Sequence, residues 1–163
     1  MDTTGKPTLL FISHVFPGRA ASGQQQRVIQ MLQGARRQFR IILLTIKDDM
    51  PDDNTDQHLS GLVDRLITLP SLYSVNFLIK CFHTIKSWYF IGRTGLKKSN
   101  YVIGEVELKE RRIIEAVEGE KIDCVIYEYW HAWKSINYFK RRGIPVYLDM
   151  HDILSHAYEG QLK

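Results

Sequence analysis

Unbroken apolar runs and one weaker alternation divide the chain into predicted strands. Four runs predict buried β-strands, because a strand covered on both faces carries apolar residues at successive positions. They lie at residues 8–13, 39–46, 122–129 and 144–150. Residues 63–70 alternate weakly and stop at a proline, which predicts a shorter strand nearer a sheet edge.

Apolar residues at helical spacing mark the segments between these strands. They predict helices at residues 24–37 and 132–143, and Ser22 is available as the N-cap of the first. The middle of the chain predicts two further helices, separated around residues 95–101.

Strands that barely alternate, separated by helices, are typical of a parallel sheet covered on both faces. We therefore predict a Rossmann-like, doubly wound α/β fold with three α/β/α layers. The 163 residues correspond to one domain of ordinary size.

Composition narrows the class of protein. With 44% hydrophobic and 25% charged residues, the chain is typical of a globular protein. The formal charge of +4 is too small to demand a nucleic-acid partner. Cys81 and Cys124 lie far apart in apolar settings, which predicts buried free thiols and a reducing, cytoplasmic location. The polar start and the charge-broken apolar runs predict neither a signal peptide nor a membrane span.

Ligands of doubly wound sheets bind beyond the carboxyl ends of the strands. That rule selects three segments, at residues 13–23, 127–131 and 149–155. The chain has no G-x-G-x-x-G, no complete P-loop and no G-x-S-x-G elbow. A plain dehydrogenase, a P-loop kinase and a serine hydrolase are therefore disfavoured.

In the first segment, Gly23 precedes a predicted helix, where backbone N–H groups can approach a phosphate. The equal alternative is that Gly23 only relieves a tight turn. Arg27 lies one helical turn further along. Its side chain could reach an anionic ligand or simply face water. In the second segment, Glu128 and His131 can line the same cleft, although we favour an ordinary N-terminal helix residue for His131.

In the third segment, "LDMHD" ends a predicted strand in polar groups. The imidazole of His151 can act as a base or bind a substrate hydroxyl, and the carboxylate of Asp152 can fix its tautomer. A metal site is the rival interpretation, but the other histidines are scattered singly, so we expect no metal.

Two stretches resemble the retaining glycosyltransferases of family four, which have the two-domain GT-B fold. They are "LLFISHVFPGRAASGQQQRVIQMLQGARRQFRIILLT" and "IDCVIYEYWHAWKSINYFKRRGIPVYLDMHD". Residues 48–104 match only in outline. The resemblance implies transfer of a sugar from a nucleotide-sugar to an acceptor, with retention and usually without a metal or cofactor. It also implies that this half of the fold holds mainly the acceptor, which is a glycan, a lipid-linked or a small molecule, as in polysaccharide biosynthesis.

Carried over by position, the resemblance places His151 near the transferring sugar as the catalytic candidate. Gly23 would touch the donor phosphate or sugar from across the cleft, and Ser22 beside it is a further substrate-binding candidate. Arg27, Glu128, His131 and Asp152 are weaker candidates for substrate binding.

Nothing in the chain resembles the donor-binding half of that family. We therefore expect an acceptor-side domain of a longer protein, with a C-terminal donor domain as its partner and no transfer activity alone. The alternative is a non-catalytic α/β binding or regulatory module that lacks the donor half.

Residues 76–101 combine aromatic side chains with lysines and arginines. Such a mixture suits the surface of an anionic membrane, which would place the protein at its inner face. Apolar residues occur almost all round the segment, however, and we favour a helix half-buried against the sheet.

Overall fold

A five-stranded, wholly parallel sheet forms the centre of the protein, as predicted. The computed structural model describes residues 5–18, 22–47, 59, 61–72, 77–94 and 107–150. The sheet has the order β3-β2-β1-β4-β5, with every neighbouring pair parallel. Its strands are β1 (Thr8–Ser13), β2 (Arg40–Lys47), β3 (Arg65–Pro70), β4 (Cys124–Glu128) and β5 (Val146–Asp149).

The described helices follow the predicted segments, with shifted ends. They are α1 (Gly23–Ala35), α2 (Phe77–Thr94), α3 (Glu110–Ala116), a 3₁₀ helix (Trp133–Ser135) and α4 (Ile136–Lys140). Ser22 caps α1 as predicted: its hydroxyl accepts from the Gln25 backbone N–H, and the Gln25 side chain accepts from the Ser22 N–H. The helix predicted at 132–143 is divided into the 3₁₀ turn and the short α4.

Helices cover both faces of the sheet, which gives the three predicted layers. On one face Leu9 and Phe11 of β1 pack with Val28 and Leu32 of α1. On the other face Leu10 and Ile12 belong to a core that includes Ile113 of α3 and Phe139 of α4. Because successive residues of β1 point to opposite faces, every one of its six residues is buried.

The two edge strands have different outcomes. β3 lies at one edge, as its weak pattern predicted. β5 was predicted as a strongly buried strand, and this is wrong: it lies at the other edge, where Tyr147 is 62% and Leu148 is 42% exposed. Its apolar composition resembles that of β1, but it pairs only with β4 among the strands that the structure describes.

α2 is also less buried than expected. Six of its apolar side chains are each 64–76% exposed: Phe77, Leu78, Phe82, Ile85, Trp88 and Tyr89. The expectation that this helix packs half-buried against the sheet is therefore wrong for these residues. Among the helices of the described residues, none has the length and apolarity to cross a bilayer.

Both cysteines are free thiols, as predicted, but they are only half-buried rather than buried. Burial raises the pKa of the Cys124 thiol, with a smaller contribution from the charge of Asp123.

Candidate functional site

The carboxyl ends of β1 and β4 lie side by side where the strand order reverses. Ser13 at the end of β1 is in register with Glu128 at the end of β4. Sheets of this order bind ligands at such a switch point. The structure thus brings together two of the three segments selected from the sequence.

The Glu128 carboxyl group is the buried centre of this edge, because its side chain has no exposed surface. Oε2 lies 3.1 Å from the Ser13 hydroxyl, which donates to it or to the carbonyl of Val15 at 2.8 Å. Oε1 has no hydrogen-bond partner among the described residues. Since a buried carboxyl group is costly without partners, an open acceptor atom here marks a place for a ligand or a proton.

His14 follows β1 directly and sits beside that carboxyl group. Its Nδ1 lies 3.1 Å from Glu128 Oε2, although the ring is not aligned for a linear hydrogen bond. The side chain is 20% exposed, so the imidazole is sheltered but open to solvent. A carboxylate at Nδ1 favours the tautomer with the proton there, which leaves Nε2 to accept another proton.

His131 packs against His14, with the ring centroids 4.1 Å apart. Burial lowers the pKa of His131 to about 3, with a smaller contribution from His14. The side chain is therefore a neutral imidazole at physiological pH. It lies in the turn before the 3₁₀ helix rather than within the helix, and only 6% of the residue is exposed.

Tyr129 turns the chain sharply after β4. Its φ of 66° is in the left-handed region, which costs a residue other than glycine about 1–2 kcal/mol. Its N–H donates to the carbonyl of Asp149 at 2.9 Å. After this turn the His131 ring packs on His14, and the Trp130 and His131 rings are 4.7 Å apart.

Buried polar atoms without partners concentrate here. Within the described part of the chain, Glu128 Oε1, Trp130 Nε1 and His131 Nδ1 are three such atoms in four consecutive residues. Buried polar groups in proteins are normally hydrogen-bonded, so such a concentration is typical of a binding site.

Arg27 has a partner that neither alternative considered. It forms a bidentate ion pair with Asp149 at the end of β5, from Nη2 to Oδ1 at 2.7 Å and from Nε to Oδ2 at 3.0 Å. The hydrogen bond and the charge of Asp149 raise the pKa of Arg27. Arg27 thus ties α1 to the same edge of the sheet, while 44% of its side chain stays accessible to water.

Ser22 and Gly23 lie at the start of α1. The Ser22 hydroxyl is used by the cap. The φ of Gly23 lies outside the left-handed region, and a Cβ built there meets nothing within 4 Å. Neither backbone conformation nor packing among the described residues therefore requires this glycine, so the tight-turn alternative has no support.

His151 and Asp152 lie outside the described residues. Among the residues that the structure does describe, no group of three histidine, cysteine or carboxylate side chains could hold a metal ion. Sequence reasoning selected the segments that contain His14 and Asp149, but it did not single out His14 and did not recognise Asp149 as the partner of Arg27. The available signal was their position, since each lies at or directly after the carboxyl end of a strand.

Comparison with known proteins identifies the fold. No protein-family model matches the chain. No curated protein matches its sequence either. A UDP-glucosyltransferase from Polygonum tinctorium, capable of glucosylating indoxyl and solved with 3,4-dichloroaniline, is similar in structure with a TM-score of 0.50 and 12% identity. TcCGT1 in complex with UDP is similar with a TM-score of 0.50 and 10% identity.

Each of these matches covers 88% of this chain, which spans only 29% and 28% of the two solved chains. At such low identity the likeness concerns the fold alone. The chain has a glycosyltransferase-like, Rossmann-like α/β fold.

Proposed function

We propose that this chain is the acceptor-side domain of a glycosyltransferase that moves a sugar from a nucleotide-sugar to an acceptor hydroxyl. The observation that carries the proposal is the contact of His14 with the buried Glu128 carboxyl group at the switch point. The fold shared with UDP-glucosyltransferases supports it.

The chemistry requires a group that accepts a proton. The acceptor oxygen forms a bond to the anomeric carbon while the bond to the donor phosphate breaks and its electrons leave with the nucleoside diphosphate. The hydroxyl proton passes to Nε2 of His14. Glu128 stabilises the resulting imidazolium through Nδ1, and neutral His131 adds no competing positive charge.

The donor is a substrate, and the proposal includes no metal or separate cofactor. Gly23 offers its backbone N–H at the start of α1 to the donor phosphate or sugar, beside Ser22, whose own N–H already donates to the Gln25 side chain. Most donor contacts come from a C-terminal domain, so the isolated chain does not catalyse transfer. Catalysis needs the charge stabilisation of both cleft walls.

The stereochemical course distinguishes two forms of this proposal. The family resemblance implies retention, in which the leaving phosphate itself accepts the acceptor proton and His151, with Asp152, positions a sugar hydroxyl. The His14–Glu128 contact favours direct displacement, in which a protein base accepts that proton and the configuration inverts.

The test is to incubate the full-length protein with a panel of nucleotide-sugars and measure donor hydrolysis, then transfer to hydroxyl acceptors. The coupling constant of the anomeric proton, read by NMR, gives the configuration of the product. We expect donor turnover with at least one nucleotide-sugar. Binding of nucleotide-sugars without any turnover would support the non-catalytic binding module. The absence of both binding and turnover would refute sugar transfer.

A further inference from the structure

The exposed side of α2 is the surface whose role sugar transfer does not explain. Its six exposed apolar side chains, from Phe77 to Tyr89, lie along a single helix. An exposed apolar patch, unlike a single exposed leucine, marks an interaction surface.

These side chains form one continuous face. With about 100° between successive residues of a helix, Phe77, Trp88, Ile85, Leu78, Tyr89 and Phe82 follow one another across a sector of about 140°. Phe77, Ile85 and Trp88 also line an open depression of about 320 Å³. The face is therefore grooved and apolar along most of the helix.

Cationic positions border this face on both sides. Arg93 and Lys86 are exposed and follow Phe82 within about 40° of the helix circumference. On the other side, the position of Lys80 lies about 60° beyond Phe77, with the exposed Thr84 between them. Arg93 Nη1 also donates to the hydroxyl of Tyr89 at 3.3 Å, which holds a cation beside an amphipathic ring.

The charge of the surrounding sequence is one-sided. Residues 71–104 contain five lysines and arginines and no aspartate or glutamate. The rest of the chain holds 17 basic and 18 acidic residues, so the positive excess of the whole chain comes from this segment. An apolar face with tryptophan and tyrosine, in a segment that contains cations and no carboxylate, is complementary to an anionic bilayer surface.

We propose that α2 docks this protein on anionic lipid bilayers. The helix lies in the plane of the surface, with Phe82, Ile85 and Trp88 at the level of the acyl boundary and with Lys86 and Arg93 at the lipid phosphates. A protein partner would need carboxylates at particular positions opposite Lys86 and Arg93 and an apolar surface shaped to fit α2. An anionic bilayer carries phosphates beside an apolar layer over its whole surface, so it needs no such matched positions. The proposal does not depend on sugar transfer, because vesicle binding needs no donor.

The test uses sedimentation of the full chain with vesicles of phosphatidylcholine and phosphatidylglycerol, and with vesicles of phosphatidylcholine alone. We expect binding to the anionic vesicles that falls at high salt, and weak binding to the neutral ones. The double variant Lys86→Glu/Arg93→Glu should bind about 30-fold more weakly, since each basic residue near the surface contributes measurably. The matched variant Lys140→Glu/Arg141→Glu, on the exposed end of α4, should bind like the wild type.

A second pair of variants tests the apolar face separately from charge. Trp88→Ser should weaken anionic binding, while Trp133→Ser, at another exposed tryptophan, should leave it unchanged. Equal binding to both kinds of vesicle, or binding that survives both α2 variants, would overturn the proposal. So would a concentration-dependent dimer that Trp88→Ser dissociates, because the face would then bind a second copy of the chain.

Discussion

Proteins usually bury apolar side chains and expose polar ones. The edge of the sheet at the β1–β4 switch point and helix α2 depart from that distribution in opposite directions. At the edge, a carboxyl group and an imidazole are buried among aromatic rings; on α2, aromatic rings are exposed among cations. Their sequences are alike, since "YEYWHAW" and "IKSWYFIGR" both mix aromatic and charged residues. Sheet topology, rather than composition, therefore decides which run becomes a site inside the fold and which becomes a surface.

The largest expected effect concerns the buried edge. If the proposed transfer is correct, His14→Ala should lower the turnover of the full-length protein by about 10²–10⁴-fold, because a positioned general base contributes that much to a proton transfer. The measurement is kcat with the donor and acceptor found in the screen. Circular dichroism should show a native fold, because the His14 side chain is partly exposed rather than part of the core.

His151→Ala is the informative comparison for His14→Ala. If the leaving phosphate accepts the proton and His151 positions the sugar, His151→Ala lowers turnover sharply and His14→Ala does not. If His14 is the base, Glu128→Gln should also lower turnover, because an amide does not stabilise the imidazolium. Wild-type turnover in both His14→Ala and Glu128→Gln would rule out the dyad.

The second effect is the acid sensitivity of the same edge. Burial lowers the pKa of His131 to about 3, whereas an unfolded histidine titrates near 6.5. Between about pH 3 and pH 6.5, His131 is protonated in the unfolded chain but stays neutral in the folded chain. Stability is therefore fully present above about pH 6.5 and falls as the pH decreases towards 3, by at most about 1.4 kcal/mol per pH unit.

His131→Phe should keep an aromatic ring in the cluster and remove this contribution. Urea unfolding at about pH 7 and about pH 4.5 should show that the wild type loses about 2 kcal/mol more than the variant does. Equal losses in the two proteins would mean that other groups cause the acid sensitivity and that His131 is not held neutral by burial.

Much of the fold could be predicted from the sequence, because hydrophobic periodicity carries strand and helix information directly. β1 was predicted with its observed ends, and the order of elements gave the parallel sheet. The error at β5 has a physical cause: "IPVYLD" is as apolar as a central strand, and only strand order shows that one of its sides has no strand beside it in the described chain. Periodicity likewise left open whether α2 was buried.

The sequence predicted where on the sheet the candidate site lies, but not which side chains contact each other there. The rule for strand ends selected the segments at residues 13–23 and 127–131, which begin at strand ends that the structure places side by side. The pairing of His14 with Glu128 depends on the register of β1 with β4, which no local pattern encodes. The left-handed turn at Tyr129 was also hidden, because such a conformation is usually signalled by glycine or asparagine.

A smaller effect is expected at the border of the edge, where Arg27 meets Asp149. The pair is bidentate but partly exposed, with 44% of the Arg27 side chain accessible, so Arg27→Ala should lower the free energy of unfolding by only about 0.5–1 kcal/mol. A double-mutant cycle with Asp149→Asn should return a coupling energy of that size, reduced at high salt. A coupling above about 2 kcal/mol would mean that the pair is desolvated and belongs to the buried edge.

The smallest effect is expected on α2, at Phe82. Phe139 of α4 is the buried phenylalanine with which it is compared. Phe139 is 1% exposed and Phe82 is 64% exposed. Phe139→Ala should cost about 3–5 kcal/mol, because it leaves a cavity in the core beneath α4. Phe82→Ala should change the free energy of unfolding by less than about 0.5 kcal/mol, because most of the residue is already exposed and its loss takes little apolar surface out of the core. Urea unfolding of both variants measures the difference, and a cost at Phe82 above about 2 kcal/mol would show that α2 packs against the protein instead of presenting a surface to a bilayer.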